Sequence, residues 1–363
     1  MAAAFEMVWQ GRVSGLVITR YGHSMRTRHI EVVEAGHLVP DEAGLLATRR
    51  ILQLAQSATA DDLVIVLISG GASSLMVAPI EGVSFDRKRD ITEQLLASGA
   101  PISEMNIVRK ALSGIKGGKL ARISAPARVV TYIMSDVPGD DPSVVGSGPS
   151  IISGTSRVAA LEIIERYGLD THGDLRSLLR MSDEHKSKDG ESESFVIGSA
   201  RQALVAAAEK AKGLGVQPII LGDAIEGEAR EVAAVFAGIA KSAILYGDPV
   251  KAPCVILSGG ETTVTKRGFG RGGRNSEFLL ALSIAMGDIP CAAFAADTDG
   301  IDGSEDNAGV WFNEAMAERG DIALRRRHLA NNDAYSYFAK IGALVMTGPT
   351  LTNVNDFRAI LIR

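Results

Sequence analysis

Turns rich in glycine, serine, threonine and aspartate follow many of the strands that the sequence predicts. They are SGGASS (69–74), SDVPGDD (135–141), SGGETT (258–263), ADTDGIDGSEDN (296–307) and TGPTLTNVND (347–356). In an open parallel sheet, ligands bind beyond the carboxyl ends of the strands, so these turns are expected to share one crevice. One such turn would be an ordinary chain reversal, whereas five of them with this composition indicate a functional site.

The SGGASS turn has the composition of an anion-binding loop. It follows a strongly apolar predicted strand and precedes a helical stretch, so backbone N–H groups can approach a phosphate or a carboxylate. The residues predicted to bind are Gly70, Gly71, Ser73 and Ser74. A tight strand-to-helix turn is the alternative. A Walker loop is excluded, because SGIKGGKL ends in Lys-Leu and follows no strand, so neither Lys116 nor Lys119 is a Walker lysine.

The segment GFGRGGRNSE (268–277) has the greatest concentration of residues typical of a ligand-binding loop. Gly268, Gly270 and Gly273 match G-x-G-x-x-G, and Asp297 follows 24 residues after the last of them, as in a dinucleotide fingerprint. The preceding strand, TTVTKR, is polar and alternating, however, unlike the buried strand of a Rossmann unit.

Two arginines interrupt these glycines, and they favour a polyphosphate ligand. Arg271 and Arg274 can donate bidentate hydrogen bonds to phosphoryl oxygens and offset charge in a phosphoryl-transfer transition state. A basic hairpin tip is the alternative interpretation.

The segment ADTDGIDGSEDN places five carboxylates within ten residues: Asp297, Asp299, Asp302, Glu305 and Asp306. A calcium loop is disfavoured, because no helix precedes it and Ala308 occupies the twelfth position. Magnesium is the better candidate, since it needs one or two carboxylates beside water and nucleotide. A solvated acidic loop is the alternative. A second carboxylate source, as metal ligand or as base for a substrate hydroxyl, comprises Asp136, Asp140 and Asp141.

These turns require an α/β scaffold, and the pattern of the chain provides one. Strands are predicted at 13–20, 30–35, 62–69, 128–136, 195–198, 216–223, 254–260, 262–267, 291–297, 344–348 and 359–362. Helices are predicted at 41–56, 86–98, 103–122, 157–168, 199–213, 225–242 and 276–286, with short helices within 312–340. Strands separated by helices indicate a parallel sheet covered on both faces. Residues 182–194 contain no apolar side chain and predict a linker, which gives domains 1–190 and 191–363.

Composition narrows the class of protein. Of the 363 residues, 46% are apolar and 22% charged, which excludes bulk disorder, and aromatic residues are only 5%, which favours a layered α/β core. The net charge of −5 argues against a nucleic-acid or membrane surface. Cys254 and Cys291 lie in apolar runs, as buried thiols of a reducing, cytoplasmic compartment do. The histidines show no zinc spacing, and Arg325–Arg327 with His328 is predicted to be a solvated helix face.

Longer blocks carry a resemblance to a known family. These blocks are ISGGASSLM, ISEMNIVRKALSGIKGGKLA, SDVPGDDPSVVGSGP, ILGDAIEGEAREV, SGGETTVT, GRGGRNSEFLLAL, AADTDGIDGSEDNAG and TGPTLTNVNDFRAIL. Together they resemble the MOFRL-type glycerate 2-kinases over nearly the whole chain. Such proteins have often been labelled hydroxypyruvate reductases.

The resemblance implies ATP- and Mg²⁺-dependent phosphorylation of D-glycerate at its 2-hydroxyl. It also implies a Rossmann-like, parallel-sheet N-terminal domain and a C-terminal α/β domain with the MOFRL region at about 252–358, the site lying between them. Glycerate and nucleotide are the expected partners, nucleic acid and membrane are not, and a homodimer is left open. Two alternatives stay open: an NAD(P)H-dependent hydroxypyruvate reductase with Asp297 on the ribose, and a remnant that binds ligand without turnover.

Residue by residue, the resemblance places the family's catalytic arginine at Arg274. From its chemistry, the SGGASS loop is expected to hold the glycerate carboxylate or a phosphate. Glu261, Asp297 and Asp299 then lie near nucleotide and metal, and Asn353 and Asp356 near the domain interface. The predicted catalytic residues are Arg274 and Asp136, and the predicted metal ligands are Asp297 and Asp299. The predicted substrate- and nucleotide-binding residues are Ser69, Gly70, Gly71, Ser73, Ser74, Lys116, Gly259, Gly260, Glu261, Thr262, Arg271, Gly273, Asn275, Asn353 and Asp356.

One departure from the family concerns the start of the sequence. The family has an upstream strand ending in a G-x-G-K-A-type turn, whose lysine is catalytically important. This chain opens with MAAAFEMVW, which resembles the helix directly after that turn. The expectation is a truncated form that is weakly active or inactive and prone to aggregate, because the strand at 13–20 would lose a neighbour.

Overall fold

The computed structural model describes residues 1–37, 39–152, 157–169, 175–181, 192–318 and 321–363. The chain divides into two compact units, Met1–Ile197 (unit 1) and Gly198–Arg363 (unit 2). The predicted linker at 182–194 falls largely on residues 182–191, which lie outside the described residues.

Unit 1 alternates strands and helices as the sequence predicts. Its strands are β1 (Gly15–Arg20), β2 (Ile30–Ala35), β3 (Leu63–Ile68), β4 (Arg128–Met134) and β5 (Ser192–Gly198). Its helices are α1 (Ala2–Val8), α2 (Glu42–Gln56), α3 (Ala72–Leu75), α4 (Phe85–Ala97), α5 (Ile102–Ala111), α6 (Lys119–Ser124), α7 (Arg157–Arg166) and α8 (Leu175–Met181). Asp41 caps α2 by accepting a hydrogen bond from the N–H of Gly44 (3.0 Å), as the sequence indicates.

Two pairs of strands in unit 1, β1 with β2 and β3 with β4, are parallel, which confirms the predicted α/β architecture. β1 pairs with β2, and β3 pairs with β4 in a sheet of order β3-β4-β5. Val66, Val129 and Ile133 of this sheet form one core with side chains of α6 and the segment before it. A second core is helical and joins α4, α5, α7 and α8 through buried aliphatic side chains. Both cores are aliphatic, as the low aromatic content predicts.

One predicted helix of unit 1, at 103–122, is wrong. The chain forms α5 and α6 instead, separated by a turn that carries Lys116. Gly117 and Gly118 both have positive φ (65° and 81°), a region that side chains with a Cβ rarely adopt. A Cβ on Gly118 would also lie 2.6 Å from the Cα of Ile152. Helix α5 already stops at Ala111, and the two glycines precede the first residue of α6, so Lys116 lies in the turn between the two helices.

Unit 2 has a larger sheet and a buried central helix. Its strands are β6 (Gln217–Gly222), β7 (Gly227–Glu228), β8 (Cys254–Ser258), β9 (Thr262–Thr263), β10 (Ala292–Asp297), β11 (Gly309–Phe312), β12 (Leu344–Val345) and β13 (Asp356–Ile362). Its helices are α9 (Ala200–Gly213), α10 (Ala229–Tyr246), α11 (Arg274–Met286), α12 (Glu314–Glu318), α13 (Ile322–Ala330) and α14 (Ala334–Lys340).

The main sheet of unit 2 is mixed, which corrects the assumption of parallel strands behind the shared crevice. Its order is β12-β11-β10-β13-β8-β6; β6 and β8 are parallel, while β13 runs antiparallel to both β8 and β10. The start of β13 therefore lies beside the ends of β8 and β10, and Asp356 pairs in register with Asp297. The three predicted loops of unit 2 lie at one edge of this sheet, because an antiparallel strand begins where its neighbours end. The other two predicted loops, 69–74 and 135–141, belong to unit 1.

Other predictions for unit 2 are wrong in part. The alternating segment TTVTKR forms only the two-residue β9, and the strand β11 was not expected. Helix α10 begins four residues later than predicted, because Gly227 and Glu228 pair with β9. Arg325 is buried and donates from Nε to the hydroxyl of Tyr337 (3.2 Å), whereas Arg326 and Arg327 are exposed as predicted.

The core of unit 2 surrounds α11. Phe278 is fully buried, and its ring meets that of Phe236 edge to face at 5.4 Å. Cys254 and Cys291 are buried and unbridged in the same core, which confirms their predicted burial. None of the helices in the described ranges has the length and apolar character needed to span a lipid bilayer.

Replacing Phe278 by Ala is expected to lower the free energy of unfolding by about 3–5 kcal/mol, because it leaves a cavity and removes an aromatic pair. Urea unfolding followed by circular dichroism measures the change. Phe269→Ala is the matched control, since Phe269 is 98% exposed and its loss should change stability by less than about 0.5 kcal/mol. Equal effects of the two substitutions would contradict the assignment of Phe278 to the core.

Candidate functional site

Arg274 is the centre of the polar cluster in unit 2. It is the first residue of α11, and three carboxylates surround its guanidinium. Nε donates to Oδ1 of Asp356 (2.8 Å), Nη1 to Oε1 of Glu261 (2.9 Å) and Nη2 to Oδ2 of Asp297 (2.6 Å). Ion pairs on three sides fix the plane and the orientation of the guanidinium.

The mixed sheet explains why these residues meet. Asp297 ends β10 and Asp356 begins the antiparallel β13 beside it, while Glu261 follows β8 on the other side of β13. Helix α11 begins over the same edge. Residues that are up to 95 positions apart in sequence thus surround one side chain.

A second arginine, the buried Arg358 of β13, fixes the carboxylate of Asp356. Arg358 is fully buried, and its Nη2 donates to Oδ2 of Asp356 (2.5 Å) and to Oγ1 of Thr262 (3.0 Å). Its Nη1 donates to the carbonyl of Gly259 (3.1 Å), and Asn275 donates from Nδ2 to Oδ1 of Asp356 (2.8 Å). Arg358 was not predicted from sequence, because it lies inside an apolar strand and only the burial of that strand reveals its role.

For both Asp297 and Arg274, burial and the charge of the ion-pair partner act on the pKa in opposite directions. Burial raises the pKa of Asp297 to about 7, although the charge of Arg274 and the N–H of Asp299 act in the opposite direction. Burial acts to lower the pKa of Arg274, but Asp356 and Asp297 more than offset it, so that pKa is raised. Arg274 is therefore permanently charged, while Asp297 exchanges its proton near neutral pH.

Three of the five carboxylates in the acidic loop position the loop and the start of α11. Asp302 is fully buried and accepts from the N–H groups of Asn275 (2.9 Å) and Ser276 (2.8 Å) at the start of α11. Glu305 pairs with Arg271 (2.6 Å), and Asp306 accepts from the hydroxyl of Tyr335 (2.7 Å). These three carboxylates therefore have structural roles. Asp297 and Asp299, which also have partners within the protein, are the two residues predicted to hold a cation.

The two predicted metal ligands are adjacent. The N–H of Asp299 donates to Oδ1 of Asp297 (3.0 Å), and Oδ1 of Asp299 accepts from the N–H of Ile301 (2.8 Å). In the described part of the chain, no three metal-binding side chains form a group that could hold a metal by themselves. Two adjacent carboxylates fit Mg²⁺ only when nucleotide oxygens and water supply its other ligands.

The glycines of the GFGRGG segment pack against the chain. A Cβ on Gly268 would lie 2.3 Å from the carbonyl of Asn331, and one on Gly270 would lie 2.3 Å from Cβ of Asp333. Gly273 lies equally close to Asp302. Close packing of the loop explains these glycines, and together with the short β9 it disfavours a dinucleotide fingerprint.

Three further predicted residues have local roles. Arg271 lies over the ring of Tyr335, at 4.2 Å from the centroid, and is half-exposed. Asn353 accepts from the N–H of Asn355 (2.8 Å) and so shapes the loop before β13. Gly260 has φ of 109°, and a Cβ there would collide with the backbone of Ile225.

Unit 1 has its own polar cluster at the ends of β2, β3 and β4. A Cβ on Gly70 would lie 2.0 Å from Oδ2 of Asp136, and one on Gly71 would lie 2.5 Å from Nε2 of His37. Gly71 also has φ of 79° and begins α3. The two glycines therefore let a carboxylate and an imidazole approach the loop, and His37 is a residue that sequence reasoning missed.

The serines of the SGGASS loop are not equivalent. Ser74 donates its hydroxyl to the carbonyl of Gly71 (3.0 Å), and the carbonyl of Ser69 accepts from the N–H of Ala72 (3.4 Å). Ser73 instead meets the hydroxyl of Ser147 (2.9 Å) and Nζ of Lys116 (3.0 Å). Ser73 is thus the serine that faces a cation, while Ser69 and Ser74 shape the turn.

Comparisons with known proteins agree with this architecture. The family model described as a domain of unknown function, DUF4147, matches residues 1–180, and the model of the MOFRL family matches residues 254–356. D-glycerate 2-kinase of Thermotoga maritima is 40% identical over 364 residues, which cover 98% of this chain and 85% of that protein. A protein of Agrobacterium vitis that carries the provisional name hydroxypyruvate reductase is 50% identical over 369 residues, covering 100% of this chain and 84% of that one.

The structural comparison gives the same result. The crystal structure of glycerate kinase from Thermotoga maritima matches with a TM-score of 0.89 and 38% sequence identity, covering 99% of this chain and 87% of that chain. The fold defines a two-unit α/β protein with a polar cluster in each unit. The chain belongs to the MOFRL-type glycerate kinase family, as the resemblance of its motifs predicted.

Replacing Asp302 by Ala is expected to lower the free energy of unfolding by about 2–4 kcal/mol, because two buried N–H groups at the start of α11 lose their acceptor. Urea unfolding measures the change. Asp288→Ala is the control, since Asp288 is exposed and should respond by less than about 0.5 kcal/mol. A loss below about 1 kcal/mol at Asp302 would show that this carboxylate does not hold the helix.

Proposed function

We propose that this chain is an ATP-dependent glycerate 2-kinase, which transfers the γ-phosphoryl group of ATP to the 2-hydroxyl of D-glycerate and forms 2-phosphoglycerate and ADP. The observation that carries the proposal is the guanidinium of Arg274, oriented by three carboxylates at the edge of the unit 2 sheet. Relatives named glycerate kinase, at 40% and 35% identity over 98% of this chain, support the substrate and the reaction.

Arg274 acts on the transferring phosphoryl group. Phosphoryl transfer depends mainly on positioning and on charge stabilisation, and a planar guanidinium can bond two equatorial oxygens at once. The first N–H groups of α11 are already bonded to Asp302. The arginine, and not the helix terminus, therefore supplies the contact to phosphate.

The residues around Arg274 set its orientation. Asp356 holds Nε, and Arg358, Asn275 and Thr262 in turn hold Asp356. Glu261 is more than half exposed. Of the three carboxylates around Arg274, it is the one whose ion pair with the arginine is most easily replaced by a contact to water or nucleotide. The remaining residues proposed to contact nucleotide are Gly259, Gly260, Arg271, Gly273 and Asn353.

Magnesium is part of the proposal. Asp297 and Asp299 would hold it, since together they offer one or two carboxylates and leave the other positions to nucleotide and water. The ion would neutralise charge on the phosphate oxygens. A cation at this place also favours the ionised form of Asp297, whose pKa burial raises to about 7.

Unit 1 supplies the groups for the hydroxy acid. Asp136 lies against Gly70 and is proposed as the base that accepts the proton of the 2-hydroxyl as the phosphorus–oxygen bond forms. The loop residues Ser69, Gly71, Ser73 and Ser74 and the neighbouring Lys116 are proposed to bind the rest of the substrate. A half-buried carboxylate beside the two glycines of the loop allows close approach of a small polar molecule.

Two assays test the reaction. ADP formation from ATP and Mg²⁺ is expected to require D-glycerate, and NADH is expected to stay unoxidised when hydroxypyruvate replaces glycerate. The physical reason is that the glycines of the GFGRGG segment pack against residues 331–333 and leave no dinucleotide cradle. Oxidation of NADH without glycerate-dependent ADP formation would replace the kinase with a reductase.

Replacing Arg274 by Lys is expected to lower kcat by about 100-fold or more, with a smaller change in KM, because a point charge cannot contact two phosphoryl oxygens in one plane. Steady-state ADP formation measures both constants. Arg326→Lys, on the exposed face of α13, is the control and should leave both unchanged. A change confined to KM would remove Arg274 from the transition state.

A further inference from the structure

Of a group of four buried or half-buried cations in unit 1, only Lys116 has a role in the reaction as proposed so far. Lys116 is 3% exposed and Lys88 is 7% exposed, while Lys119 and Arg109 are half-buried. They come from α4, α5, the turn after α5 and the start of α6. We name these four residues the basic cluster.

Main-chain and hydroxyl oxygens, not carboxylates, surround the lysines of the basic cluster. Nζ of Lys88 has the carbonyl of Ala78 at 3.5 Å, and Nζ of Lys119 donates to the carbonyls of Lys110 (3.1 Å) and Ser113. Among the residues that the structure describes, no carboxylate forms an ion pair with any member of the basic cluster. Burying several like charges without counter-charge is unfavourable, so the cluster is suited to an anionic ligand.

Lys116 is the member of the basic cluster closest to the SGGASS loop. Its Nζ donates to the carbonyl oxygen of Ser73 (2.5 Å) and to the hydroxyl oxygen of Ser73 (3.0 Å). The hydroxyl of Ser73 also meets that of Ser147 (2.9 Å). Ser73 is half-buried, so an ammonium group and two hydroxyl groups lie just beneath the surface of one loop.

The backbone around Ser147 is held in an unfavourable conformation. Gly146, Ser147 and Gly148 all have positive φ (57°, 65° and 54°), which is costly at the serine. The N–H groups of Gly117 and Gly118 donate to the carbonyls of Ser147 (3.0 Å) and Gly148 (2.8 Å). The strained turn is thereby bonded directly to the residues after Lys116, which fixes Ser147 relative to the lysine.

The neighbouring Asp136 bears on the kind of anion. Asp136 approaches the same loop at Gly70, where it is proposed as the base for the substrate hydroxyl. An α-hydroxy acid has one carboxylate next to one hydroxyl, and so suits a cation and a base on a single loop. The favoured ligand group is therefore a carboxylate.

We propose that Lys116, Ser73 and Ser147 bind the carboxylate of the hydroxy-acid substrate, and that Lys88, Lys119 and Arg109 supply the positive potential that holds it. This inference rests on the proposed glycerate kinase function and assigns one end of its substrate to a defined subsite. Lys116 is a binding residue in this proposal, and the other three cations are positioning residues.

The protonation of its lysines makes binding at this subsite depend on pH. Burial, followed by the charge of Arg109, lowers the pKa of Lys116 to about 7, and burial lowers that of Lys119 to about 8. The pKa of Lys88 is also lowered, by burial and by the other three cations. The ammonium form of Lys116 binds the carboxylate, so affinity should be highest below pH 7 and fall by up to about tenfold per unit above it.

Isothermal titration of D-glycerate into the whole chain, without nucleotide, tests the proposal. Lys116→Met is expected to weaken binding at pH 6.5 by about 10–100-fold, because a charge-assisted hydrogen bond is lost. The melting temperature of the ligand-free variant should be equal or higher, since an uncompensated buried charge is gone. Lys210→Met, on the exposed surface of α9, is the control and should bind as the wild type does.

The two proposals fail in different ways. Unchanged glycerate affinity in Lys116→Met, or a pH dependence that the variant retains, would overturn the carboxylate subsite and leave the kinase standing. Inorganic phosphate and the non-hydrolysable nucleotide AMP-PNP are the other probes, and a Lys116-dependent affinity for them but not for glycerate would also overturn it. Lys116-dependent binding of glycerate without ADP formation would uphold the subsite and refute only the kinase.

Discussion

The carboxylate of Asp356, buried between two arginines, is the interaction on which unit 2 depends. Arg358 holds it from inside the sheet and Arg274 from outside, and each arginine also bonds to a different part of the edge. Removing any one partner would leave a charge buried without compensation, which is strongly destabilising. The same ion pairs orient the guanidinium proposed to act on phosphate, so the stability of the edge and the precision of the site have one physical origin.

The buried lysines of unit 1, in contrast, are not paired with carboxylates among the described residues. The acidic side chains around Arg274 match its charge, whereas the buried lysines of the basic cluster have only neutral oxygens as acceptors. The ion pairs of Arg274 fix the orientation of its guanidinium. The ammonium group of Lys116 has no ion pair with a carboxylate of the described residues, so its charge can still be neutralised by an anionic ligand. The first arrangement suits a group that must stabilise a transient charge, and the second suits a group that must bind a stable anion.

Much of the fold could be predicted from the sequence. The β3 strand LVIVLI, the Asp41 cap of α2 and the buried cysteines were predicted from local patterns, and the structure confirms them. The break between α5 and α6 was missed, because two glycines outweighed a helical pattern. For the candidate site, glycine turns and acidic runs indicated where polar groups would gather. Arg358, His37 and Ser147 gave no local signal, since each matters only through a distant neighbour.

The sequence by itself determined the α/β class, the loops that carry chemistry and, through long matching blocks, the family. Hydrophobic periodicity and turn composition depend on only a few neighbouring residues, so they can be recognised in the sequence alone. Tertiary structure decided which carboxylates meet Arg274 and which serve as caps, since Asp302 and Asp297 belong to the same acidic run and have different partners. It also decided that Lys116 is buried without a carboxylate. The reason is that partner choice and burial depend on strand direction and on contacts between segments far apart in sequence.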